Sequence, residues 1–538
     1  MNTIVVVNDV TYVPNLTAYL DSLSMEKRQQ TEVLALGLDV EYRLEKLSVP
    51  FHSAREFRTV TSFDRMVYAI ELADRIMFDE IFSFFSHKGI SLTALYHIRL
   101  QWYIVLLTYY VDIFVTFIEK NSTVRHIVSF RSATAIPLFG DIAADFEARV
   151  MSDTLRFVCA ERNIECVLLE ERATSHSKYV ERFWFLTQRR IFGFCLFFAN
   201  LVQHFRPTRK IRILASDNWR NISPLLEELP ESELILLDRT EGIKAGLRGW
   251  WRHQMQFKQL RHYDSRRTRR TAHTKSRFFE ESFADTKQRL RAFQEATFRG
   301  CVITRLIEPV LERIISRGGT EGVIAIENAY RMLSEIRPDV VVVRASASGQ
   351  IHFPTLCLVA KLLGIPSLEI QHGHLYMGEG SLTRRRAAEY IAVYGPAVRK
   401  ELKKVGYTDT QIIDAGSPRF DAYRAISLQK RDPIHVTCIA PSLVRGFFDD
   451  TYEVADYFSI VAASIKNFGV KFTIKLRAGA EGFFEEVLRR TFSGIPYEVC
   501  RHMSIQTLFA KSDVVISPVS TVLFESLIMG RPTVFVAL

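Results

Sequence analysis

The sequence predicts an α/β protein built from doubly wound parallel sheets, and three observations predict it. Short β-branched runs alternate with longer helical stretches along the chain, the pattern left by strands joined through crossover helices. Most late runs end in Gly, Pro, Ser or a charged residue, as strands do when their carboxyl-end loops hold a ligand. At 538 residues the chain exceeds one ordinary core, so two or three domains are expected.

The strands fall into three sets. TIVVV (3–7), a weaker run near 31–36, HIVSF (126–130) and IECVLL (164–169) form the first. After a linker containing Pro207, IRILAS (211–216), ELILLD (233–238), DVVVV (339–343) and SLEIQ (367–371) form the second. YIAVYG (390–395), QIIDAG (411–416), HVTCIAP (435–441), KFTIKL (471–476), YEVC (497–500), DVVISP (513–518) and TVFVA (533–537) complete the third. The expected division is an α/β region over 1–206, a domain over 207–382 with a basic helical insertion at 239–300, and a domain over 383–538, the last two facing a cleft. HIVSFRSATA (126–135) and DVVVVRASAS (339–348) echo one another, which two similar strand–loop–helix units produce by shared physics alone. Trp102–Ile118 reads as a buried helix feeding a strand rather than a membrane span, and 191–202 is too short to cross a bilayer.

Hydrophobic residues at 48% and charged residues at 24% exclude a disordered or fibrous chain. The seven cysteines are scattered without a CxxC pair, which favours neither a disulfide framework nor a zinc site and points to a reducing, cytoplasmic compartment. MNTIVVVNDV lacks the basic and apolar regions of a secretory signal. The net charge of +10 is local: residues 239–300 hold 16 Lys and Arg against 6 Asp and Glu, and the remainder is neutral.

Three constellations carry chemistry. In SDVVISPVSTVLFESLIMGRPTVFVA (512–537) a strand ends at Pro518, and Ser520-Thr521 would cap a helix whose free N–H groups form a phosphate seat. Glu525, one turn on, could face the hydroxyls of a ribose; the plainer reading is a capped helix with a solvated glutamate. In IPSLEIQHGHLYMGEG (365–380) the strand delivers His372 to its carboxyl end as a candidate general base, against the alternative of a histidine hydrogen-bonded in a hinge. AGSPRFDAY (415–423), Ser442, and Lys475 with Arg477 in IKLRAG (474–479) follow further strands, the two cations being suited to phosphate oxygens. Asp217 and Glu379 are fallback bases in loops that could face the cleft.

The order strand–QHG, then YGPAVRKELKKVGY…AGSPRFD, then SDVVIS…ST…FES…GRP resembles the GT-B glycosyltransferases of bacterial surface polysaccharides. The nearest pattern is that of capsule-polysaccharide and CDP-glycerol glycerophosphotransferase-like enzymes. The resemblance covers 338–538 well and 207–337 loosely. It implies two Rossmann-like domains, a nucleotide-activated donor held by the second and a polysaccharide or lipid-linked acceptor held by the first. It makes His372 the base, places Ser520, Thr521 and Glu525 on the donor's phosphate and ribose, and puts the loop around His502 near the nucleotide base. Neither a metal nor a cofactor is expected, since no DxD-like dyad is evident. The sequence departs from the pattern where Gln371 replaces a Trp and where Arg477-Ala478 replaces His-Pro. It also stops at Leu538, where GT-B folds usually continue into helices that cross back to the first domain. The same fold admits a UDP-N-acetylglucosamine 2-epimerase, although that family's Ser-Gly-Gly turn is here Pro-Val-Ser-Thr. It admits a non-catalytic, membrane-associated assembly protein as well.

The basic segment RGWWRHQMQFKQLRHYDSRRTRR (248–270) interleaves aromatic and basic residues. Trp250, Trp251, Arg252, Lys258, Arg261, Arg266, Arg267, Arg269 and Arg270 suit an interfacial helix on an anionic membrane surface, the inner face of the cell membrane. A long solvated helix spanning the two domains is the competing reading. No RNP, KH or zinc-finger signature accompanies it, so nucleic acid is not an expected partner.

Overall fold

The computed structural model describes all residues except 1, 131–140, 170–210, 218–220, 223, 225–227, 230–231, 238–255, 294–295, 374–384, 425–432, 442–450, 477–480, 519 and 538. Three parallel sheets hold most of the described strands, and two short antiparallel hairpins, Ser86–His87 with Ile90–Ser91 and Thr297–Phe298 with Cys301–Val302, hold the others. The first comprises β1 (Asn2–Val7), β2 (Thr31–Ala35), β3 (His52–Ser53), β4 (Val124–Phe130) and β5 (Glu165–Leu169), in the order β3-β2-β1-β4-β5. The second comprises β6 (Ile211–Ser216), β7 (Ser232–Leu237), β8 (Gln256–Lys258), β9 (Val340–Val343), β10 (Ser367–Ile370), β11 (Tyr390–Val393) and β12 (Ile412–Asp414), in the order β8-β7-β6-β9-β10-β11-β12. The third comprises β13 (His435–Ile439), β14 (Lys471–Lys475), β15 (Glu498–Cys500), β16 (Val514–Ser517) and β17 (Thr533–Phe535), in the order β15-β14-β13-β16-β17. In each, the earliest strand lies inside and the order reverses beside it, the doubly wound, Rossmann-like topology the alternating pattern predicts.

The apolar runs are β-branched because both faces of these sheets are covered. In β1, Ile4 and Val6 enter one buried cluster while Val5 and Val7 enter another. Two strands join a different sheet from the one their spacing suggested. Of YIAV and IID, grouped above with the last set, the first pairs in register with β10 as β11 and the second with β11 as β12. The expected boundary at 382/383 therefore falls inside the middle sheet, and the crossover to the last sheet runs between Asp414 and His435.

Helices fill the layers between. In chain order, those that matter below are α1 (Leu38–Lys46), α2 (Ser62–Met77), α3 (Thr93–Lys120), α4 (Arg266–Phe293), α5 (Gly319–Ile336), α6 (His352–Leu362), α7 (Thr451–Ile465), α8 (Glu481–Thr491) and α9 (Val522–Ile528). α3 contains the apolar stretch 102–118, and its most apolar window is 83% buried inside the protein. Several of its polar groups find protein partners. The Tyr96 hydroxyl donates to the Gly318 carbonyl and that of Tyr103 to the Leu306 carbonyl. Asp112 accepts the backbone N–H groups of Thr59 and Val60. One buried cluster runs from Ile4 and Leu34 through α2 and α3 to Leu214, Val341 and Phe353. The first and middle sheets thus share a core.

The basic insertion contributes the edge strand β8 and then α4, which lays Ala272, Phe279 and Phe283 against that core. Gly319 on α5 allows the close approach: a Cβ there would lie 2.9 Å from the Phe279 ring and 3.2 Å from the Phe85 ring.

Candidate functional site

The carboxyl ends of β6, β9, β10 and β11 meet the loops after β12 and β16, and the candidate site forms there. His372 follows β10. Its Nδ1 lies 2.8 Å from the Arg344 carbonyl at the end of β9, and since a carbonyl can only accept, Nδ1 carries the proton and Nε2 is left with its lone pair. Burial lowers the His372 pKa from 6.5, partly offset by the carboxylate of Glu369 and reinforced by the Arg344 charge. Glu369 is completely buried and accepts from the Ser346 N–H and hydroxyl and from Arg386.

Gln371, where the resembling enzymes carry Trp, fastens this turn. Its Nε2 donates to the Gly373 carbonyl at 2.9 Å and its Oε1 accepts the Tyr394 N–H at 2.7 Å. The amide therefore ties the end of β10 to the end of β11. Asp217, after β6, is wholly buried and accepts from the Asn221 amide at 3.0 Å. Glu379, Ser442 and Arg477 lie outside the described residues, as do Trp250, Trp251 and Arg252.

On the opposite wall, Ser520 and Thr521 precede α9. The Ser520 hydroxyl accepts weakly from the Val522 N–H at 3.4 Å, and Thr521 makes no capping bond. With seven residues, α9 is too short to build up the dipole that a phosphate seat would use. A Cβ on Gly373 would stand 3.4 Å from the Thr521 methyl, so the His-Gly and Ser-Thr turns touch. Glu525 is buried rather than solvated. Its Oε1 accepts from Arg419 Nη2 at 2.9 Å and its Oε2 from the Tyr423 hydroxyl at 3.0 Å. Arg419 also directs Nη1 at the His372 carbonyl, 3.4 Å away.

The remaining expected donor contacts lie on the far side of β13. Lys475 ends β14 and donates to the Arg501 carbonyl at 2.5 Å, while His502 is exposed in the turn after β15. A recess of about 410 Å³ opens towards the amino ends of these strands, lined in part by His435, Lys471 and Glu498. It lies away from the His372–Glu525 cluster, and both ring nitrogens of His435 are already hydrogen-bonded within the protein. The structure thus brings His372, Thr521 and Glu525 together and leaves Lys475 and His502 apart from them. It adds Arg344, Arg419 and Tyr423, which the sequence reading did not single out.

No protein-family model matches the chain, and no curated protein does. Among solved structures, UDP-GlcNAc 2-epimerase from Neisseria meningitidis, bound to UDP-GlcNAc, is 11% identical with a TM-score of 0.37. That match covers 60% of this chain and 81% of that one. The UDP-GlcNAc 2-epimerase of Methanocaldococcus jannaschii is similar at 11% identity and a TM-score of 0.36, over 60% and 83% of the two chains. The lipopolysaccharide outer core galactosyltransferase WaaB, in its apo form, is 12% identical with a TM-score of 0.33, over 60% and 80%. The middle and last sheets both have Rossmann-like strand orders and the loops after β10 and β16 touch, a GT-B-like arrangement, and a third α/β sheet precedes them in the chain.

Proposed function

We propose that the protein is a glycosyltransferase that moves a sugar, or a polyol phosphate, from a nucleotide-activated donor to a polysaccharide or lipid-linked acceptor in bacterial surface-polysaccharide synthesis. The observation that carries this reading is a histidine with an unprotonated Nε2, set against a turn whose next carboxylate is buried beside an arginine. For a sugar donor, His372 Nε2 would take the proton of the acceptor hydroxyl as its oxygen attacks the anomeric carbon. The bond from that carbon to the donor phosphate would break with its electron pair going to the phosphate, and nearby guanidinium groups would offset the charge that develops.

The exposed Arg266, Arg267, Arg269 and Arg270 on the first turns of α4 support a peripheral position on an anionic membrane, where a lipid-linked acceptor resides. Lys258 lies half-buried in β8 and Arg261 is exposed just before the helix. Incubation with a panel of nucleotide sugars, assayed for released nucleotide, tests the transferase reading, with His372→Ala alongside. Interconversion of a nucleotide sugar without nucleotide release would replace it with an epimerase. A protein that neither binds nor consumes any donor would be a non-catalytic assembly component.

A further inference from the structure

Arg419 lies on the crossover between the middle and last sheets, and its side chain touches both. One end faces the His372 carbonyl and the other pairs with Glu525. The pair is nearly inaccessible, with side chains 8% and 6% exposed. Of the five N–H donors on a guanidinium, Nη2 holds Glu525 and Nη1 makes a long contact. Nε is buried with no acceptor among the described residues. A buried donor left in that state is costly, and an acceptor brought by a ligand, such as a phosphate oxygen, would satisfy it. Arg344, whose carbonyl orients His372, also has a buried Nε without an acceptor among the described residues. Glu525 in turn has one oxygen on Arg419 and the other on Tyr423, so hydroxyls arriving from a ligand must compete for it.

Resting on the nucleotide-donor reading, we propose that the Arg419–Glu525 pair is a clasp that the ligand opens: the ribose of a nucleoside diphosphate takes Glu525, and the guanidinium so released takes its phosphates. Separating a buried pair without replacing either partner leaves a lone buried charge, which is strongly unfavourable. A nucleoside without phosphate, or pyrophosphate without a ribose, supplies only half of what is needed. A molecule with both supplies all of it. Selection for the intact diphosphate is thereby built into one ion pair, and Arg419 binds the donor directly.

Titration calorimetry tests this with four nucleosides (uridine, cytidine, guanosine, thymidine), their diphosphates and inorganic pyrophosphate, on the full chain and on Arg419→Gln, Arg419→Lys, Glu525→Gln and the Arg419→Gln/Glu525→Gln double variant. Arg419→Gln should weaken the preferred diphosphate about 10- to 100-fold, the loss of a charge-assisted contact, while its nucleoside binds more tightly because Glu525 is vacated. Arg419→Lys should recover part of the diphosphate affinity. Glu525→Gln should strengthen pyrophosphate and weaken the nucleoside. The double variant leaves no lone buried charge; it controls for folding and should bind diphosphate no better than Arg419→Gln. A parallel loss of nucleoside and diphosphate in Arg419→Gln, or no change in either, removes the clasp and leaves the donor reading standing. Failure of the unaltered protein to bind any diphosphate removes the donor reading and the clasp with it.

Discussion

With Nδ1 committed to the Arg344 carbonyl, His372 presents a bare Nε2, and burial holds its pKa below the ordinary 6.5. The ring therefore stays neutral to lower pH than a free histidine. The acid limb of the rate–pH profile should fall below pH 6.5, and His372→Ala should lower kcat about 10²- to 10⁴-fold with nucleotide affinity little changed. The same shift has a stability sign. As pH drops below 6.5 the unfolded chain takes up the proton before the folded one, so stability falls. That part of the loss should vanish in thermal melts of His372→Gln. At this scale the placement of His372 and Glu525 at the carboxyl ends of their sheets was legible, because a strand pattern followed by His-Gly or Ser-Thr marks such a loop. Arg419 was not, because its partner is 106 positions away and only the folded crossover brings them together. Gln371 read as a missing aromatic and proves to be a hydrogen-bonded tie.

α4 has a charge order opposite to what a helix favours. Its first turn has no acidic residue and carries exposed arginines, while Glu280, Glu281 and Asp285 come later. Cations at the positive end of a helix oppose its dipole, at about 0.3–1 kcal/mol each. Replacing Arg266, Arg267 and Arg270 by Gln, and leaving Arg269 paired with Asp264, should raise the melting temperature slightly and weaken flotation with anionic vesicles. Unchanged flotation would place membrane contact elsewhere. On α5, Gly319→Val should be destabilising by about 1–3 kcal/mol through overpacking, read as a lower melting temperature, since the Phe279 and Phe85 rings occupy the space. Element types were largely readable from periodicity. Sheet membership of β11 and β12 was not, because a strand's sequence reports burial and leaves open which neighbour covers it.

At the scale of the whole molecule, the first unit grips the last. Tyr452 on α7 donates to Glu41 on α1 at 2.6 Å, and Ser53 donates to the same oxygen at 2.7 Å. The Leu38 N–H donates to the Thr451 hydroxyl, and Arg58 pairs with Glu453 at 2.9 Å. Further out, Arg490 on α8 pairs with Glu45. Burial raises the Glu41 pKa above 4.5 despite those hydrogen bonds, so its ionisation weighs against the fold as pH rises through the shifted value. Glu41→Gln keeps an acceptor for both hydroxyls and should stay within about 1 kcal/mol of the unaltered protein at neutral pH. Glu41→Ala removes the acceptor that both hydroxyls share and should cost about 1–3 kcal/mol, measured by chemical denaturation. The pairs that join the first unit to the last could not be read from the sequence, since each joins residues several hundred positions apart.

The core shared by the first and middle sheets has a practical corollary for anyone wishing to shorten the chain. A fragment beginning at residue 207 would strip away the first unit's half of this cluster and leave its own half, which includes Ile307, Leu311 and Phe353, without that cover. An apolar surface of that kind drives self-association. Such a fragment should be recovered from cells as insoluble aggregate, and adding the first unit back on the same polypeptide should restore solubility.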